Sequence, residues 1–109
     1  MKKIIKIEID TDKQAVFKTK DGNYLIKDSV EWLDLKDNQI TKIENIPNSV
    51  EWLDLEDNQI TKIENIPESV EKLYLNNNPI KSITKKALNT IKKNKTIVLG
   101  VDVDKLEVM

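Results

Sequence analysis

Between Val30 and Asn89 one order of apolar and polar positions is written three times with a period of 20. The copies read VEWLDLKDNQITKIENIPNS from Val30, VEWLDLEDNQITKIENIPES from Val50 and VEKLYLNNNPIKSITKKALN from Val70, and the first two differ only at Lys36/Glu56 and Asn48/Glu68. One such turn of chain cannot bury its own apolar face, whereas stacked turns share a continuous core, so the period predicts a solenoid. In each copy the EWLDL stretch alternates. Leu33 and Leu35 therefore point to one side and Trp32, Asp34 and Lys36 to the other. Ile40, Ile43 and Ile46 follow at a spacing of 3, too tight for a long helix and suited to short 3₁₀ or irregular turns. Pro47 and Pro67 stop any helix and prepare the next strand.

The flanks carry other patterns. Ile5, Ile7 and Ile9 alternate with polar residues and predict a strand over 3–9. Thr11-Asp12-Lys13 reads as a turn, Gln14 to Thr19 as a second strand, and Asp21-Gly22 as a tight hairpin turn that needs positive φ. A third strand near Tyr24 to Ile26 completes a small antiparallel cap over the first copy. In the third copy Ile83, Ala87, Leu88 and Ile91 form a helical stripe, with Ser82 or Thr84 as N-cap. The following strand, Thr96 to Leu99, then arrives late: Leu73 to Ile97 is 24 residues where the earlier step is 20. Gly100 ends it, and Val101, Val103, Leu106 and Val108 predict a C-terminal cap strand with a mobile end.

The motif LxLxxN-xI-xxI, present as LDLKDNQITKI, LDLEDNQITKI and LYLNNNPIKSI, resembles the leucine-rich repeat. The 20-residue length and the IPxSVExLxL join are similar to the short class found in secreted bacterial effectors and in giant-virus and amoebal repeat proteins. The resemblance implies an α/β repeat solenoid with parallel strands on its concave face, a β-hairpin or meander N-terminal cap and a helix-plus-strand C-terminal cap. It also implies that Asn38, Asn58 and Asn78 form an inward ladder satisfying turn backbone. The expected organisation is one domain over 1–109, with the cap at 1–29, three leucine-rich repeats at 30–89 and the second cap at 90–109.

Neighbouring strands lie about 4.8 Å apart, so outward residues at the same phase form columns. These are Trp32/Trp52/Lys72, Asp34/Asp54/Tyr74, Lys36/Glu56/Asn76 and Asp37/Asp57/Asn77. With Glu31, Glu51 and Glu71 they give an aromatic stripe beside an acidic one, with a local charge of −6. Exposed tryptophan and tyrosine dominate binding hot spots. Like charges directly across strands are destabilising, so the Asp34/Asp54 pair is expected to attract a partner's lysine or arginine. Duplication offers a plainer origin, because copying one unit copies its Trp and Asp, and cross-strand indole stacking stabilises a sheet by itself.

Composition narrows the chemistry. The 109 residues carry a formal charge of −1, and all 18 positive side chains are lysine. Neither a polyanion nor an anionic membrane is indicated, and the bidentate guanidinium fork is absent. No histidine or cysteine is present, which removes the usual neutral-pH base, the thiol nucleophile and the thiolate metal site. Gly22 and Gly100 are the only glycines, too few for a phosphate-cradling loop. A calcium site from Asp34, Asp54, Glu56 and Asp57 lacks a loop to wrap the ion. Lys85, Lys86, Lys92, Lys93 and Lys95 read as a solvated helix face. The N-terminal MKKIIKIEID is interrupted by Lys6, Glu8 and Asp10 before a signal-peptide core forms.

These observations predict a non-enzymatic, cofactor-free protein-interaction module, monomeric or weakly homo-oligomeric. Trp32, Asp34, Lys36, Asp37, Trp52, Asp54, Glu56, Asp57, Lys72 and Tyr74 are the candidate residues for meeting a basic protein surface. No nucleic-acid or membrane partner is expected. The alternatives are a carbohydrate-binding face on the same Trp and Asp columns and a structural, self-assembling protein. Cytoplasmic residence is expected, in a host cell if the chain is a leaderless effector or viral protein.

Overall fold

The computed structural model describes residues 30–109 in full, and 4–11, 14–19 and 24–26 as backbone strands. The turn residues Asp12-Lys13 and Asp21-Gly22 lie outside the described residues. Strands β1 (Ile4–Thr11), β2 (Gln14–Thr19) and β3 (Tyr24–Ile26) form an antiparallel sheet in that order.

The three EWLDL-type stretches become short parallel strands, β4 (Trp32–Asp34), β5 (Trp52–Asp54) and β7 (Lys72–Tyr74), joined at the edge by β9 (Ile97–Leu99). The 20-residue period sets their register, because Leu33, Leu53 and Leu73 align across the sheet. A second parallel sheet has the order β10 (Glu107–Val108), β8 (Ser82–Ile83), β6 (Lys62–Ile63). Among the described residues the one α-helix is α1 (Lys85–Asn94), and Val103–Lys105 is a 3₁₀ turn.

The core lies between the two parallel sheets and the helix. Leu33, Leu53 and Leu73 and Leu35, Leu55 and Leu75 enter from one side, Ile43, Ile63 and Ile83 from the other, and Ala87 and Ile91 close it from α1. Rows of one residue type pack well here because equivalent positions recur at the strand spacing.

This arrangement corrects the leucine-rich-repeat solenoid expected from the motif. The chain forms two separate small parallel sheets, of four and three strands, with a single helix rather than a helix in each repeat. The physical reason is that the copies are not equivalent. Lys42–Ile43 of the first copy forms no strand, Lys62–Ile63 of the second does, and the third adds a ten-residue helix where the first two have ENIPNS and ENIPES.

Two local expectations also change. Val98, not Ile97, pairs with Leu73, and a one-residue shift exchanges the faces of a strand, leaving Val98 partly buried and Ile97 51% exposed. The expected C-terminal strand over 101–108 is instead a 3₁₀ turn followed by the two-residue β10. Its end is tied down: Met109 donates its N–H to the Ile83 carbonyl at 3.0 Å and accepts from the Lys85 N–H at 3.1 Å.

Candidate functional site

Because Leu33, Leu53 and Leu73 are buried, alternation puts Trp32, Trp52 and Lys72 on the outer side of the four-stranded sheet, with Asp34, Asp54 and Tyr74 two residues on. The two indoles stack, with ring centroids 4.5 Å apart and planes inclined by 8°. The Lys72 Nζ lies 4.6 Å from the Trp52 ring centroid, a cation–π contact. Strand order places Trp52 between Trp32 and Lys72, so both its faces are occupied, whereas Trp32 is 53% exposed.

The carboxylate column has a resident cation. Lys36 Nζ lies 3.8 Å from Asp34 Oδ2 and 3.7 Å from Asp54 Oδ2. The cation expected from a partner at this pair is thus supplied by the chain itself. Asp34 and Asp54 each also accept a backbone N–H two residues on, from Lys36 at 3.0 Å and Glu56 at 3.1 Å. Asp34, followed by Asp54, holds the Lys36 ammonium above the usual lysine range. Glu56 is pushed above the ordinary carboxylate range, chiefly by desolvation and then by the charge of Asp54. Lys36 pulls the Glu56 carboxyl the other way without offsetting these effects.

Asp37, Asp57 and Asn77, expected as an outward binding column, are first of all turn residues. They have φ of 54°, 58° and 60°, the left-handed region that Asp and Asn tolerate better than most residues. Asn77 Nδ2 donates to Asp57 Oδ1 at 2.8 Å. Backbone conformation accounts for the residue type at these positions, and a short polar residue recurring just after each strand was the signal for it. Tyr74 is half-buried beside Asp54.

Ile97 and Leu99, which the sequence reading left out of the site, extend the same outer face at the sheet edge: Ile97 pairs with Lys72 and Leu99 with Tyr74. Both are exposed. The signal that finds them is the one-residue register shift of β9.

The asparagine ladder beneath this face is structural. Asn58 is buried, its Oδ1 accepting from the Asn38 and Ile40 N–H groups at 2.9 and 3.0 Å and its Nδ2 donating to the carbonyls of Leu35, Leu55 and Glu56. Asn78 repeats the pattern on Ile60, Leu55, Leu75 and Asn76.

Among the described residues no group of three or more histidine, cysteine, aspartate or glutamate side chains is arranged to hold a metal ion, and no helix is long and apolar enough to cross a membrane. Compared with protein-family models, with curated proteins and with solved structures, the chain shows no significant match in any of the three. The likeness of its motif to the leucine-rich repeat therefore assigns no family, and its function rests on the site alone.

Proposed function

We propose that the outer face of the four-stranded sheet is a docking surface for a basic protein surface, and that the chain is a non-enzymatic interaction module. The observation that carries this reading is the exposed Trp32 ring, held rigid by stacking on Trp52, beside the carboxylates of Asp34, Asp54 and Glu56. A pre-stacked indole loses little freedom on binding, and aromatic residues supply most of the energy at protein contacts. Asp37 and Asp57 add exposed negative charge at the end of the same strands, where it steers a cationic partner. Tyr74 and Lys72 bound the patch on the β7 side. The absence of cysteine agrees with a cytoplasmic location, in the protein's own cell or a host's.

A sugar platform on the same columns has less support. Both faces of Trp52 are occupied, which leaves Trp32 as the one indole with an exposed ring and reduces the paired platform to a single stacking face.

The test is a titration with a lysine-rich peptide, followed by fluorescence of Trp32 and Trp52, the only tryptophans. Binding should weaken with added salt, and Trp32→Ala should lower affinity by roughly 30-fold, the equivalent of a hot-spot contact of about 2 kcal/mol. Equal binding of a neutral control peptide, or unchanged affinity in Trp32→Ala, would overturn the reading.

A further inference from the structure

The chain carries two charge fields of opposite net sign. On the outer sheet face and its turns, Asp34, Asp37, Asp54, Glu56 and Asp57 stand against Lys36 and Lys72. On α1 and its C-cap stand Lys85, Lys86, Lys92, Lys93 and Lys95, with no acidic residue anywhere in the helix. Lys92 is paired with Asp104. Among the described residues Lys85, Lys86, Lys93 and Lys95 have no ion-pair partner and all are exposed.

Helix stability accounts for Lys93 and Lys95, which meet the negative end of the dipole, but not for Lys85 and Lys86. Lys85 and Lys86 occupy the first turn, where positive charge opposes the helix dipole at a cost of about 0.3–1 kcal/mol each. Nor can the two fields meet within one molecule. Ala87 and Ile91 of α1 are buried with Leu33, Leu53 and Leu73 on the inner side of the four-stranded sheet, while the acidic residues lie on its outer side.

We infer that the basic surface that docks on the Trp–Asp face is the lysine face of α1 in a second copy of this chain. This rests on the reading given under Proposed function and names its partner. The contact joins unlike surfaces, so each molecule that docks leaves its own acidic face free for the next, and the product is a head-to-tail ring or chain rather than an isologous dimer. Contacts of this kind are screened by salt, with a Debye length of about 10 Å at 0.1 M.

The experiment measures molecular mass by light scattering across protein concentration, at low and high ionic strength, for the full chain and two charge-reversed variants. One variant is Lys86→Glu with Lys93→Glu. The other is Glu56→Lys with Asp57→Lys; a lysine is acceptable at position 57 because Lys95 holds a similar φ, 55°, in this chain. Circular dichroism checks that both fold.

The wild-type mass should rise above the 12.6 kDa monomer with concentration at low salt and return to it at high salt. Each variant alone, with the opposite-sign attraction between its two faces removed, should stay monomeric, and an equimolar mixture, which restores one intact acidic face and one intact lysine face, should associate again. A wild-type protein that stays monomeric at low salt overturns the inference, as does association that survives either reversal or a mixture that fails to recover. The lysine-peptide titration separates the two failures. A monomeric protein that still binds the peptide keeps the docking face and loses only the partner; one that does neither loses both.

Discussion

Asn58 shows how much one side chain can carry when it is buried and polar. It satisfies two N–H groups and donates to three carbonyls at the turn, of which Glu56 also accepts the Asp37 N–H and Leu55 the Asn78 amide. Leaving a buried group unpaired costs roughly 1–3 kcal/mol. We expect Asn58→Ala to destabilise the protein by about 3 kcal/mol, read from the urea midpoint, and Asn38→Ala, at the half-exposed end of the ladder, to cost less. Glu56 has the opposite sign. Its carboxyl is harder to ionise in the folded chain than in the unfolded one, so its ionisation opposes folding. The associated stability is present below the ordinary glutamate value and lost as pH rises through the raised one. Glu56→Gln should therefore raise the thermal midpoint at neutral pH, and the gap to wild type should close as pH falls below the ordinary glutamate range. A gap that is constant with pH would show that the charge of Glu56 is not its cause.

At the scale of the element, the helix decides where the last strand goes. Thr84 caps α1 by accepting the Ala87 N–H at 3.1 Å, and Lys95 ends it in the left-handed conformation, donating its N–H back to Ile91 and Lys92. The chain then enters β9 and leaves at Gly100, whose φ is +97°. A Cβ there would stand 2.5 Å from the backbone N and 2.7 Å from the Cα of Asn76. Neither the conformation nor the space admits a side chain, so Gly100→Ala should cost about 2 kcal/mol or more. The loss should show first as faster hydrogen exchange at Val98 and Leu99, while β4 and β5 keep their protection. Uniform loss across the sheet would mean that β9 is not a separable edge.

For the whole molecule, the alternation of Leu33 and Leu35 with Trp32 and Asp34 made the inner and outer faces of the four-stranded sheet legible, because period 2 is local and period 20 repeats it in register. Three things were not legible. The position of Lys36 between Asp34 and Asp54 depends on a side chain reaching across to the next strand. The pairing of Leu73 with Val98 depends on how much chain the helix and its left-handed cap consume. The division into two unequal sheets depends on which copies form a second strand, and near-identical sequences in the first two do so differently because their neighbours differ.

Most of the side-chain bonding between turns reaches back along the chain, the Asn48 Oδ1 that accepts the Ser69 N–H being an exception. Ser49, Ser69 and Thr96 donate back to the carbonyls of Val30, Val50 and Val70, and Asn58, Asn65 and Asn78 reach back to Leu35, Ile43 and Leu55. The serine bonds close each of the first two copies on itself, and the asparagine bonds tie a copy to the one before it. A unit inserted in the interior is therefore self-consistent with both neighbours, whereas loss of the last would strand its predecessor. Tandem duplication between existing units is the lengthening step that leaves no open carbonyl behind, and the near-identity of the copies at Val30 and Val50 is the trace such a step would leave.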